Sequence, residues 1–278
     1  MSFSKIFKGL SVAGVIAASV CAATGAQATT LMDTYYGGTD TYNNPGDIIG
    51  PANVFDIISA TAIRTGTNGN TLHIVIKTNY AGVPGTPAAD GTGYGALFLT
   101  PGVNAWQPTG SASNHYAADV YVPGEWAYAA TLPMDPGTMS GTGGLYATSG
   151  GTVVTSNVGT CNYQTYPINS SCPWYFRQGQ AVQFTPGATQ TPVASETWAI
   201  QGDTITFNII DNHLLGDSFS LAWAMTCAND VIQGQINIPL SEDPVDEAPT
   251  WSVLMAGLLF ITAYARRRGV AGTVSMRA

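Results

Sequence analysis

Alternation of hydrophobic and polar residues with a period of two marks several segments of the chain. It is clearest at 71–78, where Leu72, Ile74 and Ile76 share one face and polar residues fall largely on the other. The preceding segment 57–64 is predicted to pair with it as an antiparallel hairpin across the turn at 68–70. The same pattern predicts further strands at 180–184, 197–200, 204–210 and 219–225.

These strands follow one another at short intervals, with no helical segments between them. The intervening chain is rich in Gly, Thr, Asn, Ser and Pro and poor in long straight-chain helix formers. We therefore expect an all-β domain, an antiparallel β-sandwich or jelly roll. Segment 116–133 is predicted to hold two short strands hinged at Pro123-Gly124, and glycine-rich 136–151 to be a surface connection. The similar segments 47–50 and 230–234 are expected to lie side by side, as first and last strands often do.

An uncharged apolar block at 251–265 precedes Arg266, Arg267 and Arg268. As a helix the block spans about 22 Å, less than the roughly 30 Å hydrocarbon core, so either the arginine side chains reach to the interface or the bilayer becomes thinner. Basic residues are retained on the cytoplasmic side. The sequence therefore predicts a single transmembrane helix at 251–268, anchored in the inner membrane, and a cytoplasmic tail at 269–278.

The N-terminus has the three parts of a secretory signal peptide. Lys5 and Lys8 precede an apolar run, and Ala26-Gln27-Ala28 is the small-x-small pattern that signal peptidase accepts. We predict a signal helix within 1–28, cleaved after Ala28. An exported domain at 29–240 and an acidic linker at 241–250 follow.

The residues before the apolar block resemble the PEP-CTERM sorting signal of Gram-negative bacteria, a Val-Pro-Glu-Pro-like motif followed by a short apolar helix and an arginine cluster. Asp246 and Ala248 stand where that family has prolines, and Pro249 is displaced by one position. The resemblance implies recognition by an exosortase, cleavage near the motif, and delivery to the cell surface or extracellular matrix. An unprocessed membrane anchor is the alternative. The motif residues are Val245, Glu247, Pro249, Thr250 and Trp251.

The segment 33–238 is also similar to a group of exosortase-dependent surface proteins whose exported domain has no characterised role. The similarity runs from GDIIG through TLHIVIKTNYAG and GALFLTPG to GDSFSLAWAMTCANDVIQGQI. It implies a secreted β domain and transfers no catalytic residue.

The charge of the exported part is strongly negative. All seventeen acidic residues lie between Asp33 and Glu247, where only three basic residues occur, which gives a formal net charge of −14 for that part of the chain. Such a surface repels phosphate backbones, so nucleic-acid binding is not expected. The three histidines are isolated from any nucleophile motif and lack the spacing of zinc ligands, so we predict no enzymatic activity.

Two structural features are suggested by residue type alone. Asp40 and Asp47, with Asp217 or Asp230 from the other end of the domain, could supply oxygen ligands for Ca²⁺, although aspartates also suit turns. In an exported protein Cys161 and Cys172 are predicted to form a disulfide. That pairing leaves Cys227 as a buried thiol, and pairing of Cys227 with either of the other two stays open.

These observations predict a surface or biofilm-matrix protein with a structural or adhesive role and with exopolysaccharide as a candidate partner. The alternative is a carbohydrate-binding or carbohydrate-active module. Exposed rings of Trp106, Trp126 and Trp174 would then stack on sugars, and Glu125 with Asp119 could form a hydrolytic carboxyl pair. Exposure of the rings separates the two possibilities.

Overall fold

The structure is a computed structural model that describes residues 28–40, 46–81, 92–132, 138–157 and 177–238. Several expectations concern residues outside these ranges and stay predictions. They are those for most of the predicted signal peptide, the predicted sorting motif, the apolar C-terminal block, Trp174, Cys161 and Cys172. Within the ranges, no helix is long and apolar enough to cross a membrane.

The described chain is mostly β. It contains one α-helical turn, α1 (Ala52–Phe55), three short 3-10 turns and fourteen strands. The strands are β1 (Ala28–Met32), β2 (Thr39–Asp40), β3 (Ile57–Thr65), β4 (Thr71–Thr78), β5 (Leu97–Pro101), β6 (Tyr128–Ala130), β7 (Ser140–Ala147), β8 (Gly151–Thr155), β9 (Arg177–Gln178), β10 (Ala181–Pro186), β11 (Ala194–Gln201), β12 (Thr204–Ile210), β13 (Ser218–Ala224) and β14 (Val231–Asn237).

Ten strands form one antiparallel sheet in the order β1-β3-β4-β12-β11-β7-β6-β5-β13-β14. The sheet curls until its two edge strands, β1 and β14, meet. There the Thr29 hydroxyl donates to the carbonyl of Asn237 at 2.5 Å, and the side chain of Leu31 lies over Gly234. The result is a nearly closed barrel, and we call the meeting of β1 and β14 the seam.

The prediction of a mostly β, antiparallel fold is confirmed for the described residues, and so is the hairpin of β3 and β4. The arrangement differs from the expected sandwich, because the main strands belong to one continuous sheet rather than two facing ones. Alternation of apolar and polar residues along a strand shows which face of the strand is buried. It does not show whether that face packs against a second sheet, as in a sandwich, or against the opposite wall of the same sheet, as in a barrel.

The barrel interior is filled by every second residue of its strands. Leu72, Ile74 and Ile76 of β4 are fully buried, and so is Phe207 of the neighbouring β12. Two-stranded sheet β8–β10 covers part of the outside, where Phe184 packs in a cluster with outward-facing residues of β5, β6 and β13. Burial on both faces explains why β13 reads as a nearly continuous apolar run.

The glycine-rich segment is not the predicted surface connection but contains β7, which pairs with β11 inside the main sheet. The glycines leave room for large neighbours. A Cβ on Gly141 would lie 2.8 Å from Trp198, and one on Gly143 would lie 3.0 Å from a carboxylate oxygen of Glu196. Side chains of β11 therefore occupy the space above β7, so the strand needs few side chains of its own.

The prediction of two strands within 116–133 is also wrong, since only β6 forms there. Upstream of β6, three residues have positive φ values: His115 (55°), Tyr116 (58°) and Ala118 (73°). That conformation breaks an extended chain. Segment 111–127 instead runs as turns over the outside of the barrel, and Val122 is 56% exposed.

Candidate metal centre

Three aspartates converge at one end of the seam. Asp33 directly follows β1, Asp230 directly precedes β14, and Asp47 lies in the segment before α1. Each offers a carboxylate oxygen, and these oxygens all lie within 4.8 Å of one another. The cluster therefore joins the first and last strands of the barrel to a third segment of the chain.

Backbone contacts to the start of β3 position two of the three aspartates. The two oxygens of Asp230 accept hydrogen bonds from the amides of Ile57, at 2.6 Å, and Val231, at 2.9 Å. The amide of Asp33 donates to the carbonyl of Ile58 at 3.2 Å. The carboxylate of Asp230 and the main chain of Asp33 are thus held by the same short stretch of backbone, residues 57–58.

Arg177 positions the third aspartate, Asp47, through hydrogen bonds to the main chain. Its guanidinium, on a residue that is 2% exposed, donates to the carbonyls of Tyr36 at 2.9 Å, Gly37 at 3.3 Å, Gly46 at 2.6 Å and Asp47. These bonds tie the segment after β1 to the segment that carries Asp47. Arg177 adds a positive charge near the carboxylates while its recorded hydrogen bonds go to carbonyl groups.

The electrostatics of the cluster disfavour three unneutralised charges. Burial, followed by repulsion from Asp230 and Asp47, raises the pKa of Asp33 well above its ordinary range. Burial and then the charge of Asp47 raise the pKa of Asp230. Burial raises the pKa of Asp47 to about 6, although Arg177 opposes that effect.

Two oxygens of the cluster lack hydrogen-bond partners. Oδ2 of Asp33 and Oδ1 of Asp47 are shielded from solvent, and neither accepts a hydrogen bond within the described part of the chain. The other oxygen of Asp33 accepts from the amide of Tyr35 at 3.2 Å. Clustered carboxylate oxygens with unused lone pairs are ligands suited to a hard cation.

The expected calcium ligands are only partly brought together. Asp47 and Asp230 meet, as the sequence suggested, and segments 47–50 and 230–234 are adjacent through two bonds between Ile49 and Asn229, at 2.8 and 2.9 Å. Asp217 is exposed at the turn before β13 and is not in the cluster. Asp40 lies in β2, and its side chain is outside the described part.

Sequence reasoning missed Asp33. Its position just after the first alternating residues of the β domain was visible, but its proximity to Asp230 depends on knowing that β1 and β14 meet. The prediction that first and last strands are neighbours carried this signal, although it was applied only to segments 47–50 and 230–234.

A second buried acid lies inside the barrel, far from any basic partner in the described chain. Glu196 of β11 is 2% exposed, and neither of its carboxylate oxygens has a hydrogen-bond partner there. It faces the interior with Trp198, opposite Gly143 of β7 and Ile209 of β12. Burial raises the pKa of Glu196 to about 8.

The tryptophans proposed as sugar platforms are mostly not available. Trp126 is 1% exposed, and Trp198 and Trp223 are core residues, as expected from their strand positions. Trp106 is half-buried and packs edge-on against Tyr35 and Tyr116, with ring centroids 5.5 and 5.1 Å apart. These rings form a packed cluster rather than a flat exposed platform.

One member of the carboxyl pair considered for hydrolysis, Asp119, is committed to structure. Both oxygens of Asp119 are bonded, one to the hydroxyl of Tyr35 at 2.8 Å and one to the amide of Thr109 at 2.7 Å. Glu125 accepts from the amide of Val122 at 3.2 Å, and burial raises the pKa of Glu125 to about 7. Asp119 is therefore a buried residue that links the loop at Thr109 to Tyr35.

Cys227 is 4% exposed, and its sulfur accepts a hydrogen bond from the hydroxyl of Thr92 at 2.7 Å. The pairing of Cys161 with Cys172, and the alternatives that involve Cys227, stay predictions. No protein-family model, curated protein or solved structure matches this chain.

Proposed function

We propose that this chain is an exported protein of the bacterial surface or biofilm matrix, sorted by an exosortase, and that its barrel domain has a structural or adhesive role without catalysis. The observation that carries the proposal is the C-terminal block, in which the PEP-CTERM-like motif at 245–251 precedes an apolar segment and Arg266–Arg268. Exopolysaccharide of the matrix is the proposed partner.

The placement of the domain supports this proposal. The first strand of the main sheet begins at Ala28, the predicted signal cleavage residue, and β14 ends at Asn237, before the predicted linker. The barrel therefore occupies the interval between the two processing segments. Removal of both segments would leave all but the first residue of β1 in place.

The burial of the aromatic rings supports a structural role over a sugar-binding one. Trp126, beside the candidate acid Glu125, contributes to the packing between β5, β6 and the outer sheet β8–β10. A ring that is 1% exposed cannot stack on a sugar.

Intact-mass spectrometry of the protein from membrane, surface and medium fractions of native cells tests the sorting proposal. We expect a species that begins at Thr29, ends near the motif and lacks the apolar block. A species that retains Arg268 and stays in the inner membrane would contradict exosortase processing. Glu247→Ala within the motif should block the second cleavage, whereas Asp243→Ala in the adjacent linker should leave it unchanged.

A further inference from the structure

The aspartate cluster supports an inference that goes beyond surface sorting and does not depend on it. We propose that Asp33, Asp47 and Asp230 bind one divalent cation, Ca²⁺ by their chemistry, and that the ion fastens the seam of the barrel.

The spacing of the ligand atoms fits one shared ion. Oxygen ligands lie about 2.3–2.6 Å from Ca²⁺, so two ligands on opposite sides of the ion are about 4.6–5.2 Å apart. One carboxylate oxygen from each of the three residues lies within 4.8 Å of the other two. A point between three such oxygens is at most about 2.8 Å from each, so small adjustments of the side chains bring all three to the calcium distance without a change of backbone.

Unsatisfied acceptors provide a second, independent indication of a ligand. Oδ2 of Asp33 and Oδ1 of Asp47 are shielded from water, and no donor in the described chain reaches them. A buried acceptor without a partner costs free energy, and a buried charge costs more. A cation would satisfy both oxygens at once.

The charge balance favours a divalent ion. The four recorded hydrogen-bond partners of the Arg177 guanidinium are backbone carbonyls, so it contributes one positive charge to the neighbourhood. Three carboxylates and one guanidinium leave a local charge of about −2, which one divalent cation neutralises.

The ligand type defines the class of ion, and the position of the site defines the effect of binding. All three side chains offer hard carboxylate oxygens, which suit Ca²⁺, Mg²⁺ or Mn²⁺ better than zinc. Asp33 and Asp230 flank β1 and β14, the two strands that meet at the seam. Binding would thus link the ends of a sheet that is otherwise held there by a few contacts, and would stabilise the closed barrel.

Calorimetric titration of the full chain in detergent, first stripped with a chelator and then titrated with CaCl₂ or MgCl₂, tests the site. We expect calcium to bind with a dissociation constant of about millimolar or tighter and to raise the melting temperature. Asp33→Asn and Asp47→Asn should weaken calcium binding at least about tenfold and abolish the gain in melting temperature. Asp217→Asn, an exposed carboxyl outside the cluster, is the matched control and should change neither.

Melting without metal separates a ligand from a purely structural residue. Because the three carboxylates repel one another when no ion is bound, each Asn variant should melt in chelator at the same temperature as the unchanged chain or above it. With calcium present, the unchanged chain should melt at a higher temperature than each Asn variant. The proposal fails if the unchanged chain binds no divalent cation, if Asp217→Asn weakens binding equally, or if the Asn variants lose the same stability with and without calcium.

Discussion

The buried glutamate inside the barrel gives the sharpest test of the packing described above. Glu196 has an ordinary pKa of 4.5 that burial raises to about 8, so the folded state favours its neutral form. As pH rises from about 4.5 to about 8, the unfolded chain releases this proton while the folded chain keeps it. The free energy of unfolding should therefore fall over that interval and level off above it.

The magnitude follows from the two pKa values. At 1.36 kcal/mol for each tenfold change in proton affinity, the shift to about 8 corresponds to a loss of about 4 kcal/mol between roughly pH 5 and pH 9. Glu196→Gln keeps the size of the side chain and removes the titration. The difference in stability between the Gln variant and the unchanged protein should thus move in favour of the variant by that amount.

Urea denaturation at a series of pH values, followed by tryptophan fluorescence, measures this difference. Trp198 lies on the same face of β11 and reports on the surroundings of Glu196. Asp217→Asn, which removes an exposed carboxyl, is measured in parallel as the matched control. The reasoning is refuted if the difference between Glu196→Gln and the unchanged protein is flat with pH, because the carboxylate would then be ionised in the folded barrel.

Three further predictions concern single contacts. Asp211→Asn should lower the free energy of unfolding by about 3–5 kcal/mol in urea denaturation, because it leaves the buried guanidinium of Arg64, 2.9 Å away, without its countercharge; an effect below about 1 kcal/mol would contradict this. Gly95→Ala should sharply lower the yield of folded protein in size-exclusion chromatography, since its Cβ would lie 1.9 Å from a main-chain carbonyl of β13; normal elution and melting would refute it. Lys77→Ala should change stability by less than about 1 kcal/mol in urea denaturation, because its ion pair with Asp203 is solvent-exposed; a larger loss would show a role beyond that pair.

Strands with large alternating side chains could be predicted from the sequence, and those without them could not. Ile205, Phe207 and Ile209 alternate with polar residues, and β12 forms where they predict it. β7 gave no such signal, because the side chains that cover it belong to β11. A strand whose buried face is supplied by its neighbour is visible only after pairing is known.

The candidate site shows the same division between local and long-range information. Asp47 and Asp230 could be proposed because oxygen-rich residues recur in loops near both ends of the domain. Asp33 and Glu196 could not be assigned a role in the same way. The surroundings of Asp33 include Asp230, which is more than a hundred residues away in the chain. The surroundings of Glu196 are the inward-facing side chains of the barrel.

Under the proposed export of the chain, the seam has a consequence for the order in which the barrel forms. Thr29 and Asn237, which are bonded across it, are 208 positions apart in the chain. Contacts of such long range form slowly, because the chain entropy of a large loop must be lost before they contribute. β1 can pair with β3 soon after it leaves the membrane, but its other edge has no partner until β14 emerges. We therefore expect the exported chain to pass through an open-edged intermediate, with closure of the barrel awaiting translocation of its last strand.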